Sequence, residues 1–376
     1  MIYYILRIAT PLLAVVLLAS EAQKSEAQDG VPVIKANSTT VDIQDGHNFR
    51  KGHWTVEPNL KIDTYYPQRS RTAKTVTFRT DIDSISFEVE SGHDYDFVIL
   101  LNGKNSCRTR ISAMRRSCTM GGSYDLTNPA EIPFTLTGDN QIRLEARVNG
   151  SSPLVLLFDT GADTTVLYGS SLTKGAKLKF DDTILNAADG GMTRRQTSKD
   201  NRLEIAGLNW EHEQVIFAEK LGQATDGILG FNVFEDRIVE IDYERKLLRI
   251  RDSLPSTMEG YHRGELRFHG TSPFVEATLD IGSTKVKAWF LLDTGFNGSL
   301  SLTRDFYVRN GLSGSPSVGV RKDGARSELF NIPGLMLGNV GMRAIPTNVD
   351  MKPTGNQQST GLLGMDVLKR FNTLLD

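Results

Sequence analysis

The stretch Leu154-Val155-Leu156-Leu157-Phe158-Asp159-Thr160-Gly161-Ala162-Asp163-Thr164-Thr165-Val166-Leu167 ends an apolar run in a carboxylate, a hydroxyl and a glycine, then turns apolar again. A strand of this kind favours burial, and a carboxylate at its tip is costly to bury unless it has partners or a chemical task. A partner is available 134 residues later, where Trp289-Phe290-Leu291-Leu292-Asp293-Thr294-Gly295 repeats the pattern.

The offset of 134 recurs. Asp189-Gly190 corresponds to Asp323-Gly324, and Gly227-Ile228-Leu229-Gly230 to Gly361-Leu362-Leu363-Gly364. Phe231-Asn232-Val233-Phe234 falls opposite Met365-Asp366-Val367-Leu368. Several landmarks at one offset indicate a duplicated unit of about 115 residues per copy, over residues 132–253 and 260–376. Within each copy the pattern is β. Alternating segments such as Ile142-Arg143-Leu144-Glu145-Ala146-Arg147-Val148 lead through Asn149-Gly150 into the acid-bearing strand, and residues 274–279 and 286–292 do the same in the second copy. Only residues 231–235 and 365–370 suggest a turn of helix.

Two carboxylates brought together cannot both ionise cheaply. One keeps a proton and serves as general acid, while the other serves as general base toward water. Glycine two positions after each Asp permits a tight turn with close backbone approach, and the intervening threonine offers a hydroxyl for tying one loop to the other.

Asp-Thr-Gly-Ala-Asp-Thr-Thr-Val-Leu at 159–167 resembles the active-site loop of the retropepsin-like aspartic peptidases. Gly227-Ile228-Leu229-Gly230, ending 71 residues after Asp159, resembles the second signature of that family, and the second copy has both at the same separation. The resemblance implies a mainly β fold with two retropepsin-like acid-protease β-barrel lobes sharing a cleft, in the single-chain plan of pepsin. It implies Asp159 and Asp293 as the catalytic dyad. Thr160 and Thr294 would interlock the two loops, with Gly161, Ala162 and Gly295 completing them. Ile228, Leu229 and Gly230, and Leu362, Leu363 and Gly364, would cross behind. Gly190 and Gly191 in one copy and Gly324 in the other would be flap tips over an extended peptide. No cofactor and no metal are expected.

The second copy departs from the family pattern in two ways. Its Asp-Thr-Gly is followed by Phe296, whose ring could crowd the site or line a pocket. The equivalent of Asp376 in the first copy is Asp242, after which residues 243–250 continue as a hairpin that the second copy lacks; the chain is either truncated or completed by a strand from elsewhere.

The rest of the chain sets bounds. With 39% hydrophobic and 23% charged residues and 34 glycines, it is a globular, strand-rich protein. A formal net charge of −2 gives no electrostatic reason to expect nucleic acid as a partner. Residues 8–19 are nearly all apolar and follow a short basic start, which suits a signal peptide of about 27 residues and is short for a membrane span. The mature protein is therefore expected to be exported, periplasmic or secreted, with no membrane span, or tethered if the leader is uncleaved. Residues 30–130 read as a small all-β domain with an Asn102-Gly103 hairpin turn. Its Cys107 and Cys118 suggest a local disulfide, with two free thiols as the alternative. The domain could also dock on or inhibit the peptidase through its basic stretch (Arg50, Lys51, Lys61, Arg69, Arg71, Lys74).

Serine-nucleophile elbows, zinc-protease helices and phosphate loops are absent from the sequence. The expectation is an exported aspartic endopeptidase acting on peptide or protein substrates. The alternative is a catalytically silent peptide-binding protein with the same cleft.

Overall fold

The computed structural model describes residues 30–46, 48–67, 73–90, 92–113, 119–120, 128–188, 191–219, 224–235, 237–269, 271–282, 284–312, 319–321, 327–350 and 360–376. The leader segment, the loop glycines Gly190 and Gly324, and Cys118 lie outside the described residues. Among the described residues, no helix is long and apolar enough to cross a membrane. The fold is mainly β.

The N-terminal module packs two sheets face to face. One is an antiparallel sheet of Asn48–Thr55, Thr40–Asp45, Lys74–Arg79 and Ser84–Val89. The other places Val33–Ala36 beside the hairpin of Asp94–Leu101 and Asn105–Ser112. Asn102 and Gly103 both take positive φ, 53° and 65°, as that hairpin dipeptide favours. Between the sheets Trp54, Tyr65, Phe78 and Phe97 meet edge to face, with ring centroids 5.0–6.1 Å apart along the chain of contacts.

Cys107 corrects the expected disulfide. It is a free thiol, 1% exposed, on the inward face of Asn105–Ser112 with Ile111. Its Sγ lies 3.8 Å from the Asn105 carbonyl, and burial pushes the thiol pKa up. It behaves as a small apolar core residue.

The acid-bearing strand Leu154–Asp159 buries Leu154, Leu156 and Phe158 completely while Val155 is 38% exposed. The apolar run thus alternates, as in a half-buried strand, rather than being covered on both faces. It pairs parallel with Gly227–Gly230, so that Asp159 stands opposite Gly230. Gly227–Gly230 pairs antiparallel with Thr165–Tyr168, which pairs parallel with Leu208–Ala218. The second lobe has the same order and directions: Thr284–Leu292, Gly361–Leu363, Leu300–Thr303 and Val340–Asp350. Close crossing explains the first glycine of each second signature. A Cβ on Gly227 would lie 2.2 Å from the Val166 carbonyl oxygen, and one on Gly361 would lie 2.0 Å from that of Ser301.

Two short helices were not legible in the sequence, Gly169–Thr173 and Arg304–Arg309. The expected helical turns are present as a 3-10 turn at Phe231–Phe234 and a helix at Met365–Leu368.

A separate four-stranded sheet joins the lobes, in the order Ala130–Pro133, Leu247–Arg251, Ile238–Asp242 and Thr373–Leu375. Thr373–Leu375, the last strand of the second lobe, pairs antiparallel with Ile238–Asp242 of the first.

Candidate active site

The two Asp-Thr-Gly loops meet tip to tip. The Thr160 backbone N–H donates to Thr294 Oγ1 at 3.0 Å, and the Thr294 N–H donates to Thr160 Oγ1 at 3.0 Å. Each hydroxyl then donates across the lobe boundary, Thr160 to the Leu292 carbonyl at 2.5 Å and Thr294 to the Phe158 carbonyl at 2.9 Å. Both threonines are at most 1% exposed. Four bonds related by exchange of the two halves therefore close a network with every buried polar group in it satisfied.

Asp159 and Asp293 lie side by side where the loops cross, each carboxyl group against the glycine of the opposite loop. Each also accepts from its own loop: the Gly161 N–H reaches Asp159 Oδ1 at 2.8 Å, and the Gly295 and Phe296 N–H groups reach Asp293 Oδ1 at 2.9 and 3.1 Å. The glycines make this approach possible. A Cβ on Gly295 would lie 2.4 Å from the Asp159 carboxyl carbon, and one on Gly161 would lie 2.9 Å from that of Asp293.

Burial raises the pKa of both acids. Asp293 is pushed up to about 7, by burial first and then by the negative charge of Asp159. The loop N–H groups oppose this shift in both. Burial and the negative charge of Asp159 both favour the protonated form of Asp293. Its folded-state value lies above the ordinary 3.8, so its contribution to stability is fully present below about pH 4 and is lost as the pH rises through about 7. In thermal unfolding, Asp293→Asn should therefore gain on the unmodified protein between pH 4 and pH 7; a Tm difference that stays constant across this window would contradict the assignment.

Phe296 does not stand between the carboxyl groups. Its ring folds back over Gly298 and Gly364: a Cβ on Gly298 would meet ring Cζ at 2.5 Å, and one on Gly364 would meet Cδ1 at 2.4 Å. The first lobe has Ala162 at the position of Phe296 and Thr164 at that of Gly298, so the larger ring of the second lobe is matched by a smaller neighbour. Gly298→Thr should lower stability by about 1–3 kcal/mol through overpacking. Adding Phe296→Ala should recover most of that loss in Tm.

The remaining sequence-picked residues fall as follows. Ile228 and Leu229 stand opposite Leu157 and Phe158, and Leu362 and Leu363 opposite Leu291 and Leu292, behind the paired loops. The Phe231 N–H donates to the Ala162 carbonyl at 2.9 Å, and the Met365 N–H to the Phe296 carbonyl at 2.8 Å, locking each loop to its second signature. Gly191 opens the strand Gly191–Ile205, and Gly190 lies outside the described residues.

Sequence reasoning missed a further set of lobe-to-lobe bonds. Asn140 donates to Asp366 Oδ1 at 2.8 Å and accepts from Lys369 Nζ at 2.7 Å, and Ser272 Oγ lies 3.5 Å from the Gly161 carbonyl oxygen. The available signal was that Asp366 repeats Asn232 at the common offset, marking a polar position just after each signature glycine.

Residues 144–233, most of the first lobe, match the family model described as aspartyl protease. Among solved structures, the aspartic proteinase from Irpex lacteus is similar at 11% identity and a TM-score of 0.47, over 66% of this chain and 94% of its own. No curated protein matches the chain.

Proposed function

We propose that the protein is an aspartic endopeptidase whose two halves, residues 132–253 and 260–376, each supply one member of a single catalytic dyad. The observation that carries this reading is the carboxyl pair itself. Asp159 and Asp293 are both raised in pKa and lie together at the crossing of two loops that exchange identical bonds.

In the proposed mechanism, ionised Asp159 is the general base. It takes a proton from a water molecule held between the carboxyl groups as the water oxygen attacks the scissile carbonyl carbon. Protonated Asp293 donates to the carbonyl oxygen in the same step. Collapse of the tetrahedral adduct breaks the C–N bond, the proton on Asp159 passes to the leaving amine, and Asp293 recovers its proton from the adduct's hydroxyl. No metal or organic cofactor takes part. The peptide would lie extended across the cleft, under the hairpin of Phe180–Ala188 and Gly191–Ile205.

The mechanism requires one proton on the pair. Peptide cleavage should therefore fall above about pH 7 as Asp293 ionises, and the fall should appear in kcat/KM measured on one peptide from pH 4 to pH 9. A rate still rising at pH 9 would contradict the role given to Asp293. No contact of the Phe296 ring favours the alternative of a silent cleft. Residues 1–27 are proposed as the leader of an exported protein, which N-terminal sequencing of the mature chain would test.

A further inference from the structure

Besides the pairing of Thr119–Met120 with Leu208–Ala218, the N-terminal module reaches the first lobe through a buried ion pair. Its strand Asp63–Tyr65 is bonded on one side to Asn105–Ser112 of its own module and on the other to Phe180–Ala188, where Thr64 stands opposite Ile184 in parallel pairing. Across that hairpin, the neighbouring Leu185 pairs with Arg194. The Arg194 guanidinium donates to both oxygens of Asp63, at 2.9 and 2.7 Å, and to the Thr55 carbonyl at 2.9 Å. The Asp63 side chain is 1% exposed and that of Arg194 25%.

This contact differs from the expected docking through basic residues. Lys74 pairs with Asp45 inside the module at 2.5 Å, and Arg69 and Arg71 lie outside the described residues. The contact runs with the opposite sign, from an acid of the module to an arginine of the lobe. A two-pronged carboxylate–guanidinium pair fixes direction as well as distance. The acid is also held stiffly, because Thr55 follows Trp54 and Tyr65 closes the same strand, and those two rings pack edge to face in the module core. The second lobe holds its corresponding position differently. Residue 134 further on is Glu328, which accepts from Tyr307 Oη of its own lobe at 3.2 Å.

We propose that Asp63 and Arg194 are positioning residues for peptide hydrolysis, and that the N-terminal module is the fixed mount that sets the arms of the first lobe's hairpin relative to the cleft. The inference rests on the aspartic-peptidase reading above. A hairpin set at the right place contacts an extended peptide equally in the ground state and the transition state, so its displacement raises KM and leaves kcat nearly unchanged.

The test uses the full chain, with Asp63→Asn, Arg194→Gln and the double variant compared with the unmodified protein. Two quantities are measured: steady-state cleavage of one peptide selected from a library, and amide hydrogen exchange. Each single variant should raise KM roughly tenfold with kcat within about twofold. Exchange should accelerate in residues 183–197, while Lys74–Arg79 and Leu154–Asp159 keep their protection, showing that the module and the lobe remain folded. The double variant should be no worse than the worse single, as expected for coupled partners. Unchanged hairpin exchange in both single variants overturns the mount, and faster exchange with unchanged KM overturns the positioning role. Absence of cleavage by the unmodified protein rejects the peptidase reading together with the positioning role. That outcome is distinguishable because hairpin exchange, which needs no turnover, still reports on the pair.

Discussion

Asp159→Asn should lower kcat for peptide cleavage by roughly a thousandfold or more, the scale on which a positioned general base contributes. The amide fits the space of the carboxylate and can still accept from the Gly161 N–H, which reaches Oδ1 at 2.8 Å in the unmodified protein. What it cannot do is take a proton from water. Asp293 would then face a neutral neighbour, losing the negative charge that is one cause of its raised pKa, so its remaining titration should move toward lower pH. Activity and titration are thus expected to change together. Loss of activity with an unaltered Asp293 titration would mean that the two acids do not share a site. The check is kcat on one peptide together with the pH dependence of stability, both measured on the same preparation.

The second large effect is expected from the threonines. Thr160→Val keeps the shape of the side chain but removes the hydroxyl that donates to the Leu292 carbonyl and accepts from the Thr294 N–H. Both groups lie in the buried crossing and have no water to turn to. At about 1–3 kcal/mol for each buried group left unpaired, the cost is about 2–6 kcal/mol. That is a large share of the stability of an ordinary domain. Thr294→Val should cost a similar amount, because its bonds are the mirror of these. The double variant should cost about the sum, since the two hydroxyls serve four different backbone groups. Thr160→Ser should restore most of the loss. Denaturant unfolding followed at the lobe-joining sheet would read these differences, and a loss below about 1 kcal/mol in both single variants would contradict the interlock.

Much of the site was legible because its logic is local and repeated. Each Asp-Thr-Gly combines an apolar strand, an acid and a turn-permitting glycine within a few residues, and the single offset of 134 ties the two copies together. The glycines of the second signature carried a physical reason as well: at Gly227 and Gly361 the neighbouring backbone leaves no room for a Cβ. The features that were not legible depend on distance in sequence or on short elements. Asp63 and Arg194 are 131 residues apart and belong to no periodic pattern. The helices Gly169–Thr173 and Arg304–Arg309 have five and six residues, too short to show an amphipathic stripe, and only the second has a side-chain cap, from Thr303. Cys107 was misjudged by counting cysteines. The alternation of Cys107, Thr109 and Ile111 on the inward face of their strand was the better guide.

Phe296 shows a limit of reading one position alone. Set beside the family pattern, a phenyl ring next to the second Asp-Thr-Gly suggested either a crowded site or a pocket wall. Its neighbour Gly298 replaces the Thr164 of the first lobe, and the ring occupies the space so released. The two halves therefore differ by paired changes as well as sharing landmarks, and comparing them position by position would have raised this possibility from the sequence.

The central claim is that Asp293, in the half less like the family pattern, completes the site begun by Asp159. Incubating the unmodified protein and Asp293→Asn with a mixed peptide library from pH 3 to pH 8, and identifying new termini by mass spectrometry, tests it most directly. New termini are expected with the unmodified protein alone. Intact peptides in both samples, or the same termini from Asp293→Asn at a comparable rate, would contradict it.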